Sequence, residues 1–182
     1  MADPSAGLDT ASETSAAMPG PRDVAALAAE YHAEVYRYAY RLTGSPPDAE
    51  DLTQHVFLMA QSRGEQLRDV GCIRSWLLAI ARNTYLKAAR RRPPIPAGSL
   101  NLDIDGLPAP ESHIDIDRER LQSALDDLPD EFKIVVLMFY FEGCSYREIA
   151  QRLDLPDGTV MSRLSRAKSH LRRRLLPDSR TE

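Results

Sequence analysis

Apolar residues recur along most of this chain at intervals of three and four, and almost nowhere do they alternate with polar ones. That period belongs to a helix surface and not to a strand. Residues 23–43 (DVAALAAEYHAEVYRYAYRLT) predict a first helix, with Gly44 as its natural stop. Ser45-Pro46-Pro47 opens a second helix to about Arg63, since proline is tolerated in a first turn. A third is predicted over 75–92, ending at Pro93-Pro94. The pattern returns near Asp115, runs through Leu128, breaks at Pro129 and resumes over 130–142. Two shorter helices follow over 145–153 and 158–175.

The interruption between these two sets is compositional. Residues 93–115 hold Pro93, Pro94, Pro96, Pro108 and Pro110, two glycines and several aspartates. Such a segment cannot bury a core and reads as a linker. The expected architecture is all-α: two small helical domains joined by a flexible, acidic, Pro-rich linker. The boundaries are a disordered tail 1–22, a first domain 23–92, the linker 93–115, a second domain 116–176 and a tail 177–182. Each domain is near the lower size limit for independent folding.

The formal net charge of −4 argues against a simple nucleic-acid-coating protein, but it conceals a sorting. Residues 74–92 carry six basic residues and no acidic one; residues 145–174 carry eight basic and three acidic. Between them, residues 101–131 carry ten acidic and two basic. Two basic blocks flanking an acidic one suggest two nucleic-acid contacts and a bridge that avoids DNA.

Other classes fall away. The longest apolar run, residues 134–141, is far short of a membrane span of about 18 residues. Residues 1–20 lack the basic start and apolar centre of a signal peptide, so a cytoplasmic protein is expected. Cys72 and Cys144 form no CxxC motif and read as structural thiols. The four histidines have no metal-ligand spacing. With no nucleophile–base pair, metal cluster or phosphate loop, no enzyme, cofactor or metal is expected.

Residues 144–174 read CSYREIAQRLDLPDGTVMSRLSRAKSHLRRR. Ser145 and Glu148 form a capping box that starts a helix. Ile149, Ala150 and Leu153 give its inner face, and Leu155-Pro156-Asp157-Gly158 the turn. In the next helix Val160, Leu164, Ala167 and Leu171 lie within a narrow arc. Opposite stand Ser162, Ser165, Arg166, Ser169 and Arg173, flanked by Thr159, Arg163 and Arg172. Arginine reads guanine bidentately and hydroxyls reach bases or phosphates, so this face suits a major groove. The motif is a helix-turn-helix with recognition helix 158–174. A solvated hairpin would carry glutamate and lysine there, because serine is a poorer helix former.

In helix 46–63 the inward stripe is Ala49, Leu52, Val56 and Ala60. The other side carries Asp51, Gln54, His55, Leu58 and Gln61, with Phe57 beside it. An apolar residue ringed by polar ones suggests a protein interface. In helix 75–92, Leu77, Ala81, Tyr85 and Ala88 form one stripe. Asn83, Lys87 and Arg90 stand opposite, with Trp76 and Ile80 on their side. Basic groups, an amide and an aromatic on one face suit single-stranded DNA, whose bases stack and whose phosphates pair with cations.

The segments VYRYAYRLTGSPPDAEDLTQHVFLMA, SWLLAIARNTYLKAARRR and LDDLPDEFKIVVLMFYFEGCSYREIAQRLDLPDGTVMSRLSRAKSHLRRRL, in this order, closely resemble the extracytoplasmic-function (ECF) sigma factors of bacterial RNA polymerase, within the sigma-70 family. The resemblance covers about residues 23–176 and implies the two modules called region 2 and region 4. It implies that 23–92 binds the clamp helices of the largest polymerase subunit through Asp51, Gln54, His55, Leu58 and Gln61. It implies that Trp76, Asn83, Lys87, Arg90 and Arg91 open and read the −10 promoter element. It implies that 120–176 docks on the polymerase flap and reads the −35 element through Thr159, Ser162, Arg163, Ser165, Arg166, Ser169 and Arg173. An anti-sigma partner is expected. Family members usually carry an acidic residue where His55 stands, a departure that weakens the polymerase contact at that position.

A stand-alone helix-turn-helix repressor would account for 145–174 but leave Asp51, Gln54, Leu58 and the 75–92 face unexplained. An adaptor whose basic faces bind acidic proteins would give no promoter-specific transcripts.

Overall fold

The computed structural model describes residues 24–64, 70–90 and 117–176, and within these the regular structure is helical. The expected linker and both tails lie outside the described residues. Helices α1 (Val24–Thr43), α2 (Pro46–Arg63) and α3 (Ile73–Ala89, entered through a 3₁₀ turn at Val70–Cys72) pack on one another. Helices α4 (Arg118–Asp126), α5 (Asp130–Tyr140), α6 (Tyr146–Leu153) and α7 (Asp157–Leu175) form a second group.

Local chemistry sets the boundaries. Gly44 ends α1 at φ +70°, a conformation that costs little only without a Cβ. Ser45 caps α2, accepting from the Asp48 amide at 3.5 Å, with prolines at its first positions. Ser145 and Glu148 close the capping box at the start of α6. Asp154 ends α6 in the left-handed region at φ 54°, which aspartate tolerates better than most residues. The chain then turns directly into α7.

In the first group the core is Leu27, Val35, Tyr38, Ala39 and Leu42 of α1, the expected Ala49–Leu52–Val56–Ala60 stripe of α2, and Leu77, Leu78 and Ala81 of α3. In the second group α5 is the hub: all residues from Phe132 to Met138 are buried. A helix apolar on every side must be surrounded, and α1, α6 and α7 all pack on α5.

The two groups also pack on each other. The α5–α6 turn and α4 lie against α1 and α3, with one continuous set of buried apolar residues. Sequence periodicity does not foresee this docking, and it changes the pattern on α3. Ile80, expected on the outer face with Asn83, is buried, and so is Arg82. Ala88, expected inward, is exposed. Helix α3 is covered on two sides, so a single stripe cannot describe it.

Candidate nucleic-acid interface

Helix α7 presents the surface its sequence predicts. Val160, Leu164 and Ala167 are buried, while Ser162, Ser165, Arg166 and Arg173 are exposed. Three of the residues that the resemblance assigns to the −35 element are not open. Arg163 donates to Glu131 Oε2 at 2.5 Å and ties α7 to α5. Thr159 and Ser169 are half-buried. Sequence reasoning missed Met161, which is 55% exposed on the first turns of α7, where recognition helices meet base edges. Its exposure beside Ser162 was visible in the helical spacing. The basic last turn, Arg172 to Arg174, sits favourably at the negative end of the helix dipole.

His170 is buried on the inner face of α7, whereas Leu171, expected in that stripe, is only half-buried. Its two ring nitrogens have no hydrogen-bond partner among the described residues. Burial, then the neighbouring Arg173, hold its pKa below the usual histidine value, so the neutral ring is favoured.

On α3, Asn83, Lys87 and Arg90 are exposed and share one side, as their spacing requires. Trp76 is half-buried and packed against the core, which restricts it to the edge of that surface. Arg91 lies outside the described residues.

On α2, Asp51, Gln54, His55, Leu58 and Gln61 are all exposed, and Leu58 is 63% exposed. Phe57, expected beside them, is instead buried. The structure adds α1 to this face. A groove of about 340 Å³ between α1 and α2 is lined by Val24, Ala28 and His32 together with Thr53, Gln54, Phe57, Leu58 and Gln61. His32 stacks with Phe57 at a centroid distance of 6.1 Å. Nothing in the sequence of α1 alone marks His32, because its role arises from the crossing of two helices. A second groove of about 430 Å³ runs between α4, α5 and α7. It is strongly apolar, lined by Leu121, Leu125, Val136, Tyr140, Leu171 and Leu175, with Lys168 and Arg172 also contributing.

Of the two thiols, Cys72 is exposed and Cys144 is buried. Burial and the nearby Glu142 carboxylate push the Cys144 thiol up, which disfavours the thiolate. The described residues hold no cluster of His, Cys, Asp or Glu able to bind a metal, and no helix long and apolar enough to cross a membrane.

Comparison with known proteins assigns this geometry. Residues 27–93 match the model for Sigma-70 region 2, and residues 118–171 match that for Sigma-70 region 4. The chain is 43% identical over 148 residues to ECF RNA polymerase sigma factor SigE of Mycolicibacterium smegmatis, with 78% of this chain and 57% of that protein covered. It therefore spans little more than half the length of that relative. It is 34% identical to ECF RNA polymerase sigma factor SigL of Mycobacterium tuberculosis, covering 81% of this chain and 85% of the relative. In fold it resembles the sigma factor RpoE of Bartonella quintana, solved in complex with the anti-sigma factor NepR. There the TM-score is 0.62 at 22% identity, with 86% of this chain and 99% of that one covered. CnrH in complex with the cytosolic domain of CnrY gives a TM-score of 0.55 at 24% identity, with 86% and 89% covered. With both sigma-70 regions matched in order and a relative aligned over most of its length, this chain belongs to the ECF RNA polymerase sigma factors.

Proposed function

We propose that the chain binds core RNA polymerase and directs it to promoters by contacting the −10 and −35 elements at separate surfaces. Asp51, Gln54, His55, Leu58 and Gln61, joined by His32 across the α1–α2 groove, grip the polymerase clamp helices. Asn83, Lys87 and Arg90 on α3, with Trp76 at the edge and Arg91 beyond the described residues, engage the opened −10 strand. Ser162, Ser165, Arg166 and Arg173, flanked by Thr159, Arg163 and Ser169, enter the major groove at −35. The apolar groove between α4, α5 and α7 receives the polymerase flap.

Cationic contacts to phosphates supply salt-dependent affinity, and base contacts add selectivity. The chain acts in the cytoplasm, performs no catalysis itself, and is held in check by an anti-sigma protein covering the same faces. The relatives solved in complex with NepR and CnrY support that last step.

The observation that carries this reading is the coexistence in one chain of an exposed Leu58 ringed by polar groups and an exposed serine–arginine face on α7. Run-off transcription with purified core polymerase on a genomic library tests it. Discrete start sites that require the chain are expected. Failure to associate with core polymerase, together with no chain-dependent start site, would overturn it.

A further inference from the structure

The outward face of α7 is uneven along its length. Its last turn is basic, with Arg172, Arg173 and Arg174. Its first turns carry no basic residue before Arg163, and Arg163 is committed to Glu131. What this end offers instead is Gly158, Met161, Ser162 and Ser165, all exposed. Residues three and four apart are neighbours on a helix surface. Gly158 therefore lies beside Met161 and Ser162, and Met161 beside Ser165.

The fold itself explains neither Gly158 nor Met161. Glycine within a helix is destabilising relative to alanine. Here nothing inside the protein requires it: the backbone at Gly158 does not enter the left-handed region, and a Cβ added there would meet nothing within 4 Å. Such a glycine suits a place where another molecule comes close to the backbone. Met161 is 55% exposed. A lone exposed apolar residue is ordinary, but this one stands at the end of the helix that a helix-turn-helix turns toward base edges. Beside it, the Ser162 hydroxyl donates to the Thr159 carbonyl at 3.0 Å, which leaves its oxygen as an acceptor.

We propose that Met161 is a specificity-determining residue that packs on the C5-methyl group of a thymine in the −35 element, with Gly158 giving the DNA room to close on the helix. The inference rests on the reading of α7 as the −35 contact. Among the four bases, thymine alone presents a methyl group in the major groove, and apolar side chains recognise it there. The flexible, polarizable thioether of methionine adapts to such a small apolar target. A cation at this position would instead favour guanine or a phosphate. An A·T pair offers the groove both the methyl and the adenine amino group as a donor, and Met161 and Ser162 match these two in kind.

The test uses holoenzyme assembled from the full chain and core polymerase, on a promoter duplex whose start site run-off transcription has mapped. Each thymine of its −35 element, on either strand, is replaced singly by deoxyuridine. That change removes the methyl and keeps every hydrogen-bonding group. For the wild type, one replacement should weaken competition binding about four-fold, the equivalent of one buried methyl at ~0.8 kcal/mol. Met161→Ala should bind the unmodified promoter at least that much more weakly and be indifferent to the same deoxyuridine. Met161→Leu, which keeps an apolar contact, should remain sensitive to it. Both variants should melt with the wild type, because the side chain is exposed. Gly158→Ala should melt at or above the wild-type temperature, alanine being the better helix former. It should nevertheless lose affinity equally on the thymine and deoxyuridine promoters, and undiminished affinity would remove the glycine from the contact. The methyl contact is refuted if no deoxyuridine matters to the wild type, or if Met161→Ala stays sensitive at the same thymine. It is also refuted if Met161→Ala loses as much on promoters lacking a −35 element, since the residue would then touch polymerase. A wild-type chain unable to tell promoters with that element from those without it would overturn the −35 reading itself, and the methyl contact with it. Every other outcome leaves that reading standing, so the two failures are distinguishable.

Discussion

A histidine facing inward with neither ring nitrogen bonded is an unusual choice for the inner face of α7. Burial and Arg173 hold the folded pKa of His170 below its unfolded value of about 6.5. Below that value the unfolded chain takes up a proton that the folded chain resists. Stability from this group is therefore intact above about pH 6.5 and lost as the solution is acidified. Thermal unfolding at pH 8 and pH 5.5 should show the wild type losing more than His170→Leu, which keeps the packing and removes the titration. Equal losses would mean His170 is protonated freely in the folded state. Arg166 makes the opposite case. It is exposed and makes no hydrogen bond or ion pair among the described residues, whereas Arg163, one turn earlier, is committed to Glu131. Arg166→Ala should cost about 1–3 kcal/mol in −35 binding and relax base preference at one position. Competition binding across single-base variants of the element reads this directly.

At the scale of elements, α2 and α7 were legible because each packs on one side only. Their apolar stripes and polar faces follow a helical period, and Ser45 caps the start of α2. The outer face of α2 remains open in the folded chain, so Leu58→Asp should leave helicity and thermal stability near wild type while abolishing co-purification with core polymerase. Retained co-purification would remove α2 from that interface. Helix α3 was harder to read. Its sequence shows the outward Asn83, Lys87 and Arg90, but Ile80 is buried too, and Arg82 is engaged by Glu142 in a turn 60 residues away in sequence. Periodicity within a helix carries no information about such a partner. The same limit explains His32, which joins the α2 face only through the crossing of α1 and α2. Asn83→Ala should slow promoter opening, read by permanganate reactivity of unpaired thymines, with core binding unchanged; unaltered opening would confine the −10 contact to the cations.

For the whole molecule the decisive quantity is reach. Two modules of weak affinity gain from being joined only when the connection spans the distance between their sites; an overly short tether forfeits the advantage entirely. Residues 91–116 satisfy the promoter distance by a narrow margin, about 90 Å against roughly 85 Å. Cutting the segment to roughly ten residues would limit its span to about 35 Å, well under the separation of the two elements. The buried residues described for both modules would be retained. Such a chain should bind core polymerase through α2, yet gain nothing from a −35 element. Its transcript yield should be the same on promoters with and without that sequence, whereas the full-length chain should favour the intact promoter strongly. If the shortened chain kept its preference for the −35 element, the modules would be reading DNA from much closer together than the two-site geometry requires. The packing of the two helical groups on each other would then be compatible with promoter binding.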